Sequence, residues 1–230
     1  MEKYAINIDN VTSQLSPVLR LWLNNGLSNY SYRLAAYVIL RIAESSNDNF
    51  PITIAPMDFN TEYYKNDLNN ISSRVNVGID EIKAYICSTE SFYIDFDVKK
   101  ERGRRKTILV NSYSNLYSEI SLDNKSILRN ILGLKTLYAT RLYLLINHIL
   151  ECSEKKLGVY SFHMDEILSY LAQSNQSKYQ NRFTDICRRL LEPSIEQINE
   201  ATNIQLSLDQ IHGDFCRDKK GMIGLFAYKS

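Results

Sequence analysis

Several large classes of protein leave marks that this chain does not carry. Its four cysteines, Cys87, Cys152, Cys187 and Cys216, stand far apart with no CxxC pair. That spacing excludes a recognisable zinc site, argues against a disulfide framework, and predicts a reducing, cytoplasmic setting. No stretch approaches the ~18 uninterrupted apolar residues of a membrane span, and no basic segment followed by an apolar run opens the chain. Neither membrane insertion nor secretion is expected. An excess of one charge is missing too: the formal net charge is +1, which argues against a histone-like binder of any polyanion. The three histidines, His148, His163 and His212, are isolated, so no His-x-His pair can hold a metal beside a tyrosine nucleophile for DNA nicking. Phosphate loops of the GxxxxGK[ST] type, GxSxG elements and HExxH sites are also absent from the sequence. The expectation is a chain with no catalytic residues, no metal and no cofactor, and so not an enzyme. Tyr143 and Tyr170 fit apolar helix faces and read as core residues.

What is present is an internal repeat. With 230 residues and 44% hydrophobic content, the chain can bury a core and suits one large domain or two small ones. The run from Arg33 to Glu44 and the run from Arg141 to Cys152 begin 108 residues apart, and both read as buried helices. Each is followed at the same offset by a short β-prone stretch, Phe50–Ile54 and Gly158–Phe162. Two further helical segments come next in each half. Both halves then close on a strand, a basic loop and a strand: Phe92–Phe96 with Thr107–Val110, and Ile204–Leu208 with Met222–Tyr228. Helix, strand, helix, helix, strand, loop, strand is the order of a winged helix, and its recurrence constrains the reading of both halves. The expected fold class is α+β, with two tandem winged-helix domains, each a helix-turn-helix plus a β-hairpin wing. The expected division is an N-terminal extension over 1–27, a first winged helix over 28–120 and a second over 121–230. A linker is expected between about Tyr117 and Leu134, and a short helix around Val18–Leu23 should pack on the first domain.

The second domain holds the best-defined helix, predicted from about Ser177 to Ala201. Ser177 and Gln180 fit a capping box. Phe183, Ile186, Cys187, Leu190, Leu191, Ser194, Ile195 and Ile198 form one apolar face. Lys178, Asn181, Arg182, Asp185, Arg188 and Arg189 fall opposite, with a net basic character. In a helix-turn-helix the second helix enters the major groove, where Arg can bond guanine bidentately and Asn adenine. Pro193 removes a backbone donor and should kink this helix near its middle. Charge along the chain agrees with a DNA-facing reading. Positions 44–97 carry ten acids and three bases, whereas the next eight-residue basic loop, 99–106, carries six bases and one acid. Lys99, Lys100, Arg102, Arg104, Arg105 and Lys106 therefore form a basic first wing, suited to phosphate contact. Arg217, Lys219 and Lys220 give the second wing the same sign. The acidic first domain makes its own helix-turn-helix, around Ile71–Ile82, a poor reader of bases and a candidate to dock to a second protomer.

The residues from Arg188 to Ile204, with Leu191-Glu-Pro-Ser-Ile-Glu-Gln-Ile-Asn at their centre, resemble the C-terminal signature of iteron-binding plasmid replication initiators. Tyr179, Phe183 and Lys219-Lys220-Gly221 stand in the corresponding places, and Arg141-Leu-Tyr-Leu-Leu resembles the opening of that family's second domain. From Ser28 to Tyr113 only the topology and Tyr32-Arg33-Leu34 are similar. The resemblance implies two winged helices, the second reading repeated origin sites in double-stranded DNA through Lys178, Asn181, Arg182, Arg188 and Arg189. The first would contact adjacent backbone and in some states mediate a homodimer. It also implies recruitment of host replication proteins such as a helicase, and repression of the protein's own gene by the dimer. One departure is the long second hairpin loop, Asp209 to Lys220, which contains His212-Gly-Asp-Phe-Cys. A tandem winged-helix transcriptional regulator with no replication role needs the same DNA contacts, so the reading helix cannot separate the two. Winged helices repurposed for protein partners are a third reading, opposed by the basic wing.

Overall fold

The computed structural model describes residues 3–23, 27–45, 50–63, 71–86, 93–100, 106–114, 122–154, 156–172, 183–209 and 221–229. The chain opens with β1 (Lys3–Ala5), α1 (Ile8–Gln14) and α2 (Pro17–Arg20), the last running into a tight turn over Leu21–Leu23. Then come α3 (Asn29–Glu44), β2 (Ile52–Ile54), α4 (Pro56–Tyr63), α5 (Ile71–Ile86), β3 (Tyr93–Lys100) and β4 (Lys106–Ser114). The second half has α6 (Leu122–Gly133), α7 (Leu137–Cys152), β5 (Leu157–His163), α8 (Met164–Ala172) and α9 (Phe183–Ile186). A π turn over Cys187–Leu191 leads into α10 (Glu192–Ala201), β6 (Ile204–Leu208) and β7 (Met222–Lys229). Packing gathers these into two compact units, Ser16–Gly133 and the combination of Met1–Leu15 with Leu134–Ser230.

The repeat is physical as well as compositional. α3 and α7 are both 16 residues long, and each starts at a hydroxyl cap 108 residues from the other. Ser28 accepts from the Ser31 N–H, and Thr136 from the Ala139 N–H, which satisfies one orphan donor at each helix start. Both helices are buried through most of their length, as runs that are apolar all round require. The sheets match as well. One has the order β2-β4-β3, and the other β5-β7-β6 with β1 added outside β5. The three wing-bearing strands pair antiparallel in both. The fold is thus two winged helices in tandem, of α+β class.

Each opening helix also buries an arginine. Arg33 donates through Nη2 to the Tyr63 carbonyl (3.1 Å) and the Leu132 carbonyl (2.8 Å). Arg141, 1% exposed, donates through Nη1 to the carbonyls of Tyr170 (3.4 Å) and Leu171 (2.9 Å). Those acceptors lie at the C-terminal ends of α4, α6 and α8, where carbonyls lack intrahelical partners and the helix dipole is negative. Tyr170 returns a bond from its hydroxyl to the Arg141 carbonyl (3.0 Å), and burial pushes that phenol above its ordinary pKa. Tyr143 and Tyr170 are buried, as their helix positions predict.

Unit boundaries differ from the division read from sequence. The stretch read as a linker is largely the helix α6, which packs on α3 and buries Leu128, Ile131 and Leu132. Lys125 donates to the Ala43 carbonyl (2.7 Å) and Arg129 to the Glu44 carboxylate (2.8 Å), closing the last turn of α3. The polar start of α6, Asp123-Asn-Lys-Ser, imitates a linker because its core-facing residues come only later. The N-terminal extension also divides. Val18, Leu19, Leu21 and Trp22 are buried in the Ser16–Gly133 unit, and the Trp22 indole donates to the Tyr32 carbonyl (3.3 Å). β1, however, pairs parallel with β5 from Lys3↔Val159 to Ala5↔Ser161, so residues 3–15 belong to the other unit. Among the described residues no helix is long and apolar enough to cross a membrane.

Candidate nucleic-acid interface

The helix predicted to read DNA is described from Phe183 onward. Ile186, Cys187, Leu190, Leu191, Ser194, Ile195 and Ile198 are all buried, so the apolar face found in the sequence is the docked face. Arg188 and Arg189 are exposed, and Asp185 is half-buried beside them. Arg189 Nε lies 3.4 Å from Asp185 Oδ1, one helical turn away. With the arginine side chain 67% exposed, such a pair stabilises by no more than about 1 kcal/mol and can open to a phosphate at little cost. Thr184, exposed one turn before Arg188, shares this outer face, a small polar position that a reading by charge passes over. Lys178, Asn181 and Arg182 lie outside the described residues.

Pro193 acts as its chemistry requires, but one turn earlier than a simple kink. Its ring excludes the carbonyl four residues back and it supplies no N–H. The chain responds with the π turn, in which the Glu192 N–H bonds the Cys187 carbonyl five residues behind. Ser194 Oγ donates to the Leu190 carbonyl (2.5 Å), satisfying a second acceptor near the proline. The helix therefore stays continuous through Pro193, and the irregularity falls on the segment that carries Arg188 and Arg189.

The first wing is a real hairpin up to its basic end. β3 and β4 pair through Lys99↔Thr107 and finish at Lys100↔Lys106, which places three lysines on the last rungs. Lys99 and Lys100 are exposed and Lys106 is half-buried. Further along the ladder the register shifts between Asp95 and Phe96, and Asn111 donates to Asp95 (3.4 Å) and Asp97 (3.0 Å). The acids are thereby held away from the lysine rungs. Arg102, Arg104 and Arg105 lie outside the described residues, as do Arg217, Lys219 and Lys220 of the second wing. What is described there is the wing's base. Gly221 has φ +73°, a conformation glycine adopts at no steric cost, and its carbonyl accepts from the Met164 N–H (3.0 Å) at the start of α8. The hairpin is thus tied to the first helix of the helix-turn-helix.

In the first unit α5 holds the corresponding reading position. Gly78 lets it approach α3 closely, since a Cβ there would lie 2.9 Å from the Tyr30 ring. Its outward residues include Arg74, Val77, Asp80 and Lys83, a face of mixed charge with an exposed valine at its centre. Glu81 turns inward and accepts from the Ser28 N–H (2.9 Å) and the Ser31 hydroxyl (2.5 Å). Burial alone would raise its pKa, but these hydrogen bonds outweigh it and hold the carboxyl below its ordinary value.

With this geometry in place, the known proteins can be compared. Residues 164–221 match the family model described as "Initiator Rep protein, WH2". The second unit carries an initiator Rep winged-helix domain. This Rep domain takes in α8, α9, the π turn, α10 and β6, the elements that hold Arg188, Arg189 and the base of the second wing. Beyond it the whole fold is shared with a solved structure, the Pi initiator protein in complex with iteron DNA. The TM-score is 0.57 at 15% identity, covering 93% of this chain and 95% of that one. No curated protein sequence matches the chain. The chain is therefore similar to Rep initiators both in the sequence of its second half and in its tandem fold.

Proposed function

We propose that this chain is a plasmid replication initiator that binds repeated origin DNA through its tandem winged helices. The observation that carries the reading is the Rep match over residues 164–221, which falls on the helix exposing Arg188 and Arg189 over a buried apolar face. In this role the second unit reads sequence. Arg182 and Arg188, with Asn181, meet base edges, and Lys178 and Arg189 meet phosphates near the groove edge. Asp185 orients Arg189 when no DNA is bound, as their contact supports. The lysine rungs of the first wing, with Arg102, Arg104 and Arg105, add backbone contacts, as do Arg217, Lys219 and Lys220 of the second.

The division of labour follows the charge. The mixed outer face of α5 suits backbone contact and pairing with a second protomer better than base readout. Bound as a monomer, the protein opens the origin and recruits host proteins such as the helicase; as a dimer it represses its own gene. No step in this cycle needs catalysis by the chain, and the work is done in the cytoplasm. A regulator on the same fold would bind DNA equally well, and the Rep match favours the initiator. The deciding experiment places the DNA flanking the coding sequence on a replicon that lacks an initiator, with this protein supplied in trans. Maintenance of the replicon is the expected result. Binding to that DNA without maintenance would support the regulator instead.

A further inference from the structure

Away from the DNA-facing helix, the unit formed by residues 1–15 and 134–230 encloses a cavity of about 500 Å³. It lies among β1, α1, the end of α7 and β5. Its apolar walls are Tyr4, Ile6, Val11, Ile149 and Tyr160, with the Tyr4 and Tyr160 rings stacked at a centroid distance of 6.0 Å. The volume is that of a small-molecule site. A second observation points to an occupant. Tyr160 is 2% exposed, and its buried hydroxyl has no hydrogen-bond partner among the described residues. An unpaired buried donor costs about 1–3 kcal/mol, and a ligand acceptor would relieve it. The charges of the lining narrow the chemistry. Glu154 stands at the cavity as an exposed acid. His148 reaches Gln14 (3.2 Å) from its Nε2, and burial lowers its pKa, so at neutral pH the ring carries no charge. An anion would meet no counter-charge there.

We propose that this cavity is a binding site for a neutral, flat aromatic molecule whose carbonyl or ether oxygen accepts from the Tyr160 hydroxyl. The ligand slides beside the stacked tyrosines, under the N-terminal strand and α1. The site is separate from Arg188, Arg189 and both wings, so the proposal stands whether or not the chain is an initiator.

The probe is prodan, a neutral naphthalene ketone whose emission reports both polarity and hydrogen bonding to its carbonyl. Titration of the full chain should give saturable, single-site binding with blue-shifted emission. Val11→Trp, at a half-exposed position on α1, fills the cavity and should weaken binding at least 10-fold with an unchanged circular dichroism spectrum. Val11→Phe takes its place if tryptophan lowers the melting temperature. Tyr160→Phe should bind roughly 3- to 10-fold more weakly, the loss expected of one hydrogen bond, with emission shifted further to the blue. Non-saturable binding by the unmodified chain, or unchanged affinity in either folded variant, would overturn the proposal.

Discussion

Arg33 and Arg141 reverse the usual behaviour of a long cationic side chain, and their environment explains why. Each is buried without an acid among its printed partners, and each is held instead by main-chain carbonyls at helix ends. Removing the guanidinium leaves those carbonyls buried and unpaired. Arg141→Met keeps much of the volume and should still cost about 1–3 kcal/mol, read by chemical denaturation. An unchanged midpoint would show that water replaces the guanidinium. On the outer face the expected effects differ in kind. Arg188→Ala should leave the melting temperature in place and reduce discrimination between cognate and scrambled duplex by ~1–3 kcal/mol, with non-specific binding nearly intact. Leu190→Ala is the contrast: this fully buried side chain should cost about 2–5 kcal/mol of stability, and DNA binding is then lost through unfolding. A folded Arg188→Ala with full specificity would remove this helix from the reading role.

Elements were legible in the sequence where their signals were local and strong. The two opening helices could be aligned because apolar residues fill all faces and Ser28 and Thr136 stand at equivalent starts. The buried face from Ile186 to Ile198 was legible from its spacing alone. α6 was not, since four polar residues precede its core contacts and its partner, α3, lies some 80 residues upstream. β1 was hidden for a related reason: three residues at a sheet edge carry no periodicity, and only pairing with β5 defines them. The burial of Arg33 and Arg141 was equally invisible, because composition places arginine outside. The first wing yields a prediction at this scale. Neutralising Lys99, Lys100, Arg102, Arg104, Arg105 and Lys106 together should weaken binding to every duplex and flatten its salt dependence. Each lost phosphate contact lowers the log–log slope by about 0.9. An unchanged slope would make the hairpin end a solvated turn. α3 offers a test by pH. Glu81 bonds the Ser28 N–H and Ser31 hydroxyl at the start of that helix with a lowered pKa. Its contribution to stability is therefore present above the ordinary carboxylate pKa and lost as pH falls through the lowered value. Glu81→Gln should flatten the acid limb of the stability curve, and an unaltered limb would discount the contact.

For the whole molecule, the fold repeats one unit, while the chemistry of the two copies diverges. The first presents a mixed-charge helix face and a lysine-rich hairpin. The second presents arginines on a well-docked helix and contains the Rep match. This asymmetry is what an initiator needs, with one copy supplying affinity and the other choosing the site. The most direct test is a pair of equilibrium affinities at physiological salt. One duplex carries the repeats flanking the coding sequence, and the other has the same composition in scrambled order. Binding to the repeats should be at least ~10³-fold tighter, the lower range for specific recognition. Equal affinity for the two duplexes, from a chain shown to be folded, would contradict the account.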